Sequence, residues 1–194
     1  MSETDTTERL ENYYKVLDFP QSVFVGEDGR LTGTWVMGNN YRVKSSYYGG
    51  YPHGYLKRIK ALFPDKKNTL HLFSGQVDTE IFGGKTIDIN PNNNPDVVGD
   101  AHHLGDYFGE EFDLILADTP YSVEDCDHYG TSMVKRNTVL KECVKVLKKG
   151  GHVVWLDQVL PMYRKVELKV IGYIGMVKST NHRFRVITIF EKCD

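Results

Sequence analysis

The chain has 194 residues, 40% of them hydrophobic and 26% charged, with a formal net charge of -2. That length supports a domain with its own core, and the balance excludes a uniformly basic nucleic-acid binder and, lacking any run of about 18 apolar residues, a helical membrane span. The three cysteines (Cys126, Cys143, Cys193) are too few and too scattered for a disulfide framework or a zinc ribbon, so a reducing, cytoplasmic setting is expected.

Charge is unevenly distributed. Lys/Arg against Asp/Glu run 3 to 7 over residues 1–39, 7 to 1 over 40–70, 1 to 13 over 71–130 and 13 to 5 over 131–194. If the basic blocks flank the acidic one in space, they can steer a polyanion toward it. For Lys141 to Lys149 an ordinary solvated helix face is the simpler reading.

Met1 to Glu11 is polar and acidic, unlike a signal peptide, and reads as a frayed or helical tail. Val23-Phe24-Val25, a Gly26-Glu27-Asp28-Gly29 turn and Leu31 to Met37 predict a hairpin. Residues 1–37 are thus expected to be an N-terminal extension, and 38–194 the main domain. Residues 38–55 hold five tyrosines, four glycines and two cations, a composition suited to contacting a ligand or nucleic acid rather than to a core. A helix should follow from about Gly54 to Phe63 and stop at Pro64.

Thr69 to Gly75 reads as a strand ending in a small-residue turn. Lys85 to Asn90 is a second strand with Asp88 near its end, and Asp96 to Ala101 a third, ending at Asp100. Asp113 to Ala117 is a short apolar run, the mark of a parallel strand buried on both faces, followed by Asp118-Thr119-Pro120-Tyr121-Ser122. Four strands in order end in a turn or a carboxylate. In an open α/β sheet ligands bind beyond such ends, so these ends predict a nucleoside-type site along one edge.

Residues 130–149 predict a helix stopped by Lys148-Lys149-Gly150-Gly151. His152 to Leu156 is a fifth strand. Leu168 to Val177 and Phe184 to Phe190 are joined by too short a loop for a crossover helix, so they should pair antiparallel. Asn181, His182 and Arg183 in that loop are candidates for phosphate or base contact, weighed equally against an exposed hairpin tip. No metal is expected: the side chains of Asp125-Cys126-Asp127-His128 are adjacent and rarely converge on one ion.

This order of features resembles the class I S-adenosylmethionine-dependent methyltransferases, more narrowly those acting on amino groups of nucleic-acid bases, over roughly residues 45–191. The carrying motifs are Leu70 to Gly75, Asp88, Gly99-Asp100-Ala101, Asp118-Thr119-Pro120-Tyr121 (for the family's Asp-Pro-Pro-Tyr), and Leu147 to His152. Tyr51-Pro52 with the helix through Arg58 and Ile59 resembles a cofactor-contacting segment. The resemblance implies a Rossmann-like α/β fold: seven mostly parallel strands, helices on both faces and a C-terminal antiparallel pair.

It also implies S-adenosylmethionine as cofactor, held by Tyr48, Pro52, Phe73, Ser74, Gly75, Asp88, Ile89, Asp100, Ala101 and Asp118. Asp118, Pro120 and Tyr121 would be catalytic. Tyr121, Ser122, Asn181, His182 and Arg183 would contact the substrate, a nucleic acid, with DNA favoured over RNA and adenine N6 the leading target. Three departures stand out: one glycine (Gly75) in the first motif, a first crossover too short for a full helix, and Thr119 where proline is commonest. No insertion is large enough for a target-recognition domain, which points to low sequence specificity or a partner that supplies it. The competing readings are methylation of RNA or another amino substrate, and a binding subunit that has lost turnover.

Overall fold

The structure is a computed structural model that describes residues 3–38, 51–77, 79–120, 133–179 and 184–193. Tyr48, Tyr121, Ser122 and the Asn181-His182-Arg183 tip lie outside the described residues.

Nine strands form one sheet: β1 Val23–Val25, β2 Leu31–Met37, β3 Thr69–Leu72, β4 Lys85–Asp88, β5 Val97–Val98, β6 Phe112–Asp118, β7 Leu147–Asp157, β8 Leu168–Lys178 and β9 Phe184–Lys192. Their spatial order is β1-β2-β8-β9-β7-β6-β3-β4-β5. The expected count of seven was two short. The predicted hairpin does not stand apart: β2 pairs parallel with β8 from Leu31↔Gly172 to Met37↔Lys178 and extends the sheet past its antiparallel pair. β8 presents an unpaired edge of backbone donors and acceptors, and the hairpin satisfies it.

From β5 through β4, β3 and β6 to β7 every pairing is parallel, so the carboxyl ends of all five strands share one edge. β9 pairs antiparallel with both β7 and β8, as the short connection requires. β6 lies in the interior, between β3 and β7. Leu114 to Ala117 are fully buried because the sheet is covered on both sides. Leu114 and Leu116 face one core and Ile115 and Ala117 the other, the period-two alternation of a strand.

One core is closed by the helices α1 (Glu3–Val16) and α2 (Tyr55–Leu62). The predicted tail is therefore a helix whose Tyr13 is 1% exposed and stacks on Trp35 of β2. The other core is closed by α3 (Leu104–Tyr107) and α4 (Arg136–Val146), the latter through Val139, Leu140, Cys143 and Val146 at helical spacing.

Several boundaries differ from expectation: the helix expected from residue 130 begins at Arg136, with Met133 to Lys135 outside it, and β7 runs one residue past Leu156. α4 ends at Val146, and Leu147 is already extended and paired with Phe112. Leu147 to Gly150 is strand, not the last turn of a helix, because a bulge between Phe112 and Leu114 absorbs the extra residues and Gly150 takes a φ of 65°. The third strand is shorter than expected: Val97–Val98 alone pair with β4, and Asp100 caps a short 3-10 turn over Ala101–His103. Between β3 and β4 the described residues form turns and no crossover helix, as the short spacing implied.

Candidate functional site

The site is assembled where β3, β4, β5, β6 and β7 end. After β3 the chain turns through Phe73 at φ 54° and Gly75 at φ 51°. A left-handed Phe is uncommon, and here it takes the conformation that a second glycine would adopt. Ser74, between them, is 3% exposed and its Oγ has no hydrogen-bond partner among the described residues.

The turn is held by the next strand. Asp88 Oδ2 accepts the Gly75 N–H at 2.7 Å, and Asp88 Oδ1 accepts the Asn90 N–H at 2.8 Å. One carboxylate thus shapes the loops after β3 and β4 together. Ile89, between Asp88 and Asn90, is 56% exposed.

After β5, Asp100 Oδ1 accepts both the His102 N–H at 2.9 Å and His102 Nδ1 at 2.6 Å. Burial pushes the Asp100 carboxyl up, but these bonds outweigh it and hold the group below its ordinary value. His102 Nε2 accepts the Lys135 N–H at 3.0 Å. A backbone N–H can only donate, so this tautomer carries its proton on Nδ1, toward Asp100. Ala101 is buried under the turn.

At the end of β6, Asp118 is part-buried and Thr119 is 1% exposed. Asp118 acts electrostatically on the hydroxyls of Tyr51 and Tyr55, whose rings are stacked with centroids 5.2 Å apart. Burial first, then Tyr55 and Asp118 for Tyr51 and Asp118 for Tyr55, push both hydroxyls well above their usual range, so they stay protonated. Arg185 on β9 also acts on the Tyr55 hydroxyl, with the opposite sign to Asp118. The aromatic segment thus contributes two described tyrosines to the floor of the site: Tyr55 is fully buried, and Tyr51 Oη reaches the Leu116 carbonyl at 3.5 Å. Pro52 is buried, and its carbonyl accepts the Tyr55 N–H at the start of α2.

At the end of β7, Asp157 is fully buried. It accepts hydrogen bonds from Thr119 Oγ1 at 2.8 Å, Arg136 Nε at 2.6 Å, Arg136 Nη2 at 3.1 Å, Trp155 Nε1 at 3.2 Å and the Gln158 N–H at 2.7 Å. Sequence reasoning stopped that strand at Leu156 and missed Asp157, along with Arg136, His102 as a link to Lys135, and Arg185. The available signal was a lone acid directly after a buried apolar strand, the pattern already used for Asp88 and Asp118.

Of the basic blocks, Lys135, Arg136 and Arg185 lie at this edge, and several other described lysines lie at the opposite one. Lys148 lies 3.3 Å from Asp113, Lys66 3.5 Å from Asp65 and Lys192 3.3 Å from Glu110, all toward the amino-terminal edge of the parallel strands. Asp5, His152 and Glu191, also at that far edge, have potential ligand atoms within 4.8 Å of one another. Arg9 is 3.3 Å from Asp5 and Lys169 3.1 Å from Glu191, so cations already balance the two acids. Among the described residues no helix is long and apolar enough to cross a membrane.

No protein-family model matches the sequence, and no curated protein does. Solved structures do. The N-methyltransferase NodS from Bradyrhizobium japonicum WM9 is 17% identical, with a TM-score of 0.53 over 73% of this chain and 94% of NodS. The same protein in complex with S-adenosyl-L-homocysteine gives 15% identity and a TM-score of 0.51, over 73% of this chain and 86% of that one. TrmN from Thermus thermophilus gives 15% identity and a TM-score of 0.51 over 73% of this chain; the match spans about half (49%) of TrmN. At these identities the likeness shows the fold, a Rossmann-like methyltransferase sheet.

Proposed function

We propose that the chain is an S-adenosylmethionine-dependent methyltransferase acting on an exocyclic amino nitrogen of a nucleic-acid base, adenine N6 in DNA above others. Fold alone does not fix an activity. The observation that carries the reading is Asp118, a part-buried carboxylate at the end of the interior strand β6, on the same edge as the Ser74–Gly75 turn, Asp88 and Asp100.

The residues fit such a cofactor. The orphaned, buried Ser74 Oγ at the β3 turn leaves hydrogen-bonding capacity for a polar ligand. Asp88 would receive the ribose hydroxyls and Asp100–Ala101 the adenine. The bound cofactor supplies an electrophilic methyl on a sulfonium. A base amino group is a poor nucleophile because its lone pair is delocalised into the ring. Asp118 and the carbonyl near Pro120 would accept the amino hydrogens, favouring a pyramidal nitrogen with its lone pair aimed at the methyl. Tyr121 would stack on the base, which must leave a duplex to reach the site. Positioning and fixed dipoles supply the rate.

The test is transfer of label from S-adenosylmethionine to unmethylated DNA and to RNA, followed by digestion to nucleosides. Label in N6-methyladenine, lost by about 100-fold or more in Asp118→Ala, is the expected result. Label on RNA alone, or in N4-methylcytosine, would replace the substrate and keep the chemistry. One observation favours a second reading, a binding subunit without turnover: the described residues between β3 and β4 lack a crossover helix. Cofactor binding by calorimetry with no transfer to either nucleic acid would favour it and sink the enzyme.

A further inference from the structure

Asp157 stands apart from the other acids of the edge. Asp88 and Asp100 accept hydrogen bonds from the loops after β3, β4 and β5 and stay part-exposed. Asp157 is fully buried and receives five donors from four residues. A carboxylate offers about four lone-pair directions, so these donors saturate it. It has no capacity left for a substrate, and it is closed to solvent. Its effect must pass through what it holds.

What it holds are the two described sides of the Tyr121-containing stretch. Thr119, directly after Asp118, donates its hydroxyl to Oδ2. Arg136, the first residue of α4, grips both oxygens in a fork. The residue before it, Lys135, is tied through His102 to Asp100. Thr119 is also the position where the resembled motif has proline. A proline ring fixes the backbone through φ. Here a buried hydroxyl anchored on a carboxylate fixes it through the side chain.

We propose that Asp157 is a positioning residue: it clamps Thr119 to the end of β7 and to Arg136, and so sets the direction in which Asp118 and the Pro120 carbonyl are presented. The kinetic consequence rests on the methyl-transfer reading above. The clamp itself does not, and the two are read separately.

The chain has two tryptophans, and they report differently. Trp155 Nε1 donates to the same Asp157 oxygen as Thr119, whereas Trp35 Nε1 is buried without a partner among the described residues. The experiment is nitrogen-15 NMR of the two indole N–H groups, with amide hydrogen exchange at Thr119 and Gln158, in wild type, Thr119→Val, Thr119→Ser and Asp157→Asn. Asp157→Asn strands the Arg136 guanidinium and can unfold the chain, so the near-isosteric Thr119→Val decides. It should shift the Trp155 indole signal, leave that of Trp35 in place and speed Thr119 exchange by about tenfold. Thr119→Ser should restore both.

In methyl transfer, Thr119→Val should lower kcat by about 10-fold and Asp157→Asn by about 100-fold. S-adenosylhomocysteine affinity should fall less than kcat in both, because the clamp makes no bond to the β3 and β4 turns and reaches Asp100 only through Lys135 and His102. An unmoved Trp155 signal with unchanged Thr119 exchange overturns the clamp, whatever the activity. A moved signal with unchanged kcat, or with rate and cofactor affinity falling together, leaves Asp157 a structural ion pair and overturns the positioning role. A moved signal in a chain that methylates nothing sinks the methyl-transfer reading and leaves the clamp standing.

Discussion

At the amino-terminal edge of the sheet, acids meet lysines: Asp113 with Lys148, Glu110 with Lys192, and Glu111 with Lys85 at 3.0 Å. At the carboxyl edge, Asp88 and Asp100 meet backbone N–H groups, and Asp157 meets a mixture of backbone, hydroxyl, indole and guanidinium donors. The first kind of contact is a pair of long, partly exposed side chains screened by water, worth little to the fold. The second fixes main chain in place and is charge-assisted, so each bond is stronger and shapes a loop. Acids at both edges are ion-paired or hydrogen-bonded, but at only one of them do they build a surface.

The contrast breaks most sharply at Asp88. Replacing it with Ala removes the acceptor of both the Gly75 and the Asn90 N–H groups. If the carboxyl edge is a cofactor cradle, S-adenosylhomocysteine affinity should fall by about 100-fold, at about 1.5 kcal/mol for each bond to a charged acceptor. Calorimetry on the folded variant measures this. An affinity within threefold of wild type would leave Asp88 a loop brace and remove the cradle reading.

The Phe73 turn gives the next effect. At ordinary positions Ala is more stable than Gly by 0.5–1 kcal/mol. Phe73 is left-handed and packs against the core beside β3. Truncation to either residue loses that packing, but only Ala keeps the strain. Phe73→Gly should therefore be more stable than Phe73→Ala by about 1 kcal/mol in urea unfolding. The ordinary order would mean that the turn is relaxed and that the missing second glycine is not mimicked by Phe73.

How much of this edge was readable follows from where each signal sits. The ends of β3, β4, β5 and β6 are local patterns, an apolar run broken by Ser-Gly or Asp, and the sequence carries them in order. The placement of β2 on β8 is not local: nothing in Leu31 to Met37 says which edge it will pair with. Leu147 to Gly150 continues a helix-compatible run with two lysines, and only the pairing of Leu147 with Phe112 marks it as strand. Asp157 carries the local signal of an acid after an apolar run, but its role is not local, since its donors come from residues 119, 136, 155 and 158. The tyrosine-rich segment misleads in another way. Composition suggests a segment that contacts a ligand rather than builds a core, yet Tyr55 is core because α2 lays it against the sheet.

The amino-terminal edge should answer to pH rather than to ligand. Burial pushes the Glu191 carboxyl up, but His152 and Lys169 more than offset this and bring it down to about 2. His152, which faces Glu191 at 3.6 Å, is itself kept below its ordinary value, first by burial and against the pull of Glu191, and Lys169 lies 3.1 Å from the other carboxylate oxygen. A depressed carboxyl pKa stabilises the fold above the unfolded value of about 4.3, and that stability drains away as pH falls toward the folded value. Glu191→Gln should flatten the acid limb of stability between about pH 4.5 and 2, by about 1–2 kcal/mol after allowing for solvent screening. Denaturation followed by circular dichroism across that range would show it, and a variant whose acid limb matches wild type would place the charge dependence elsewhere.

The smallest effect belongs to Lys148, and it tests the comparison from the weak side. Its Nζ is 3.3 Å from Asp113, with side-chain exposures of 43% and 25%. Asp113 is not left bare when the lysine goes: its other oxygen takes the Asn68 N–H at 3.2 Å and the Lys67 N–H at 3.4 Å. Burial raises the Asp113 carboxyl and these backbone bonds, with Lys148, lower it below its ordinary value. Lys148→Ala should therefore cost no more than about 0.5 kcal/mol, and less in added salt, because a screened pair is lost while the backbone bonds remain. A loss above about 2 kcal/mol by urea unfolding would mean that this lysine secures the bulge where β7 begins. The amino-terminal edge would then build structure with its ion pairs after all, and the distinction between the two edges would fail.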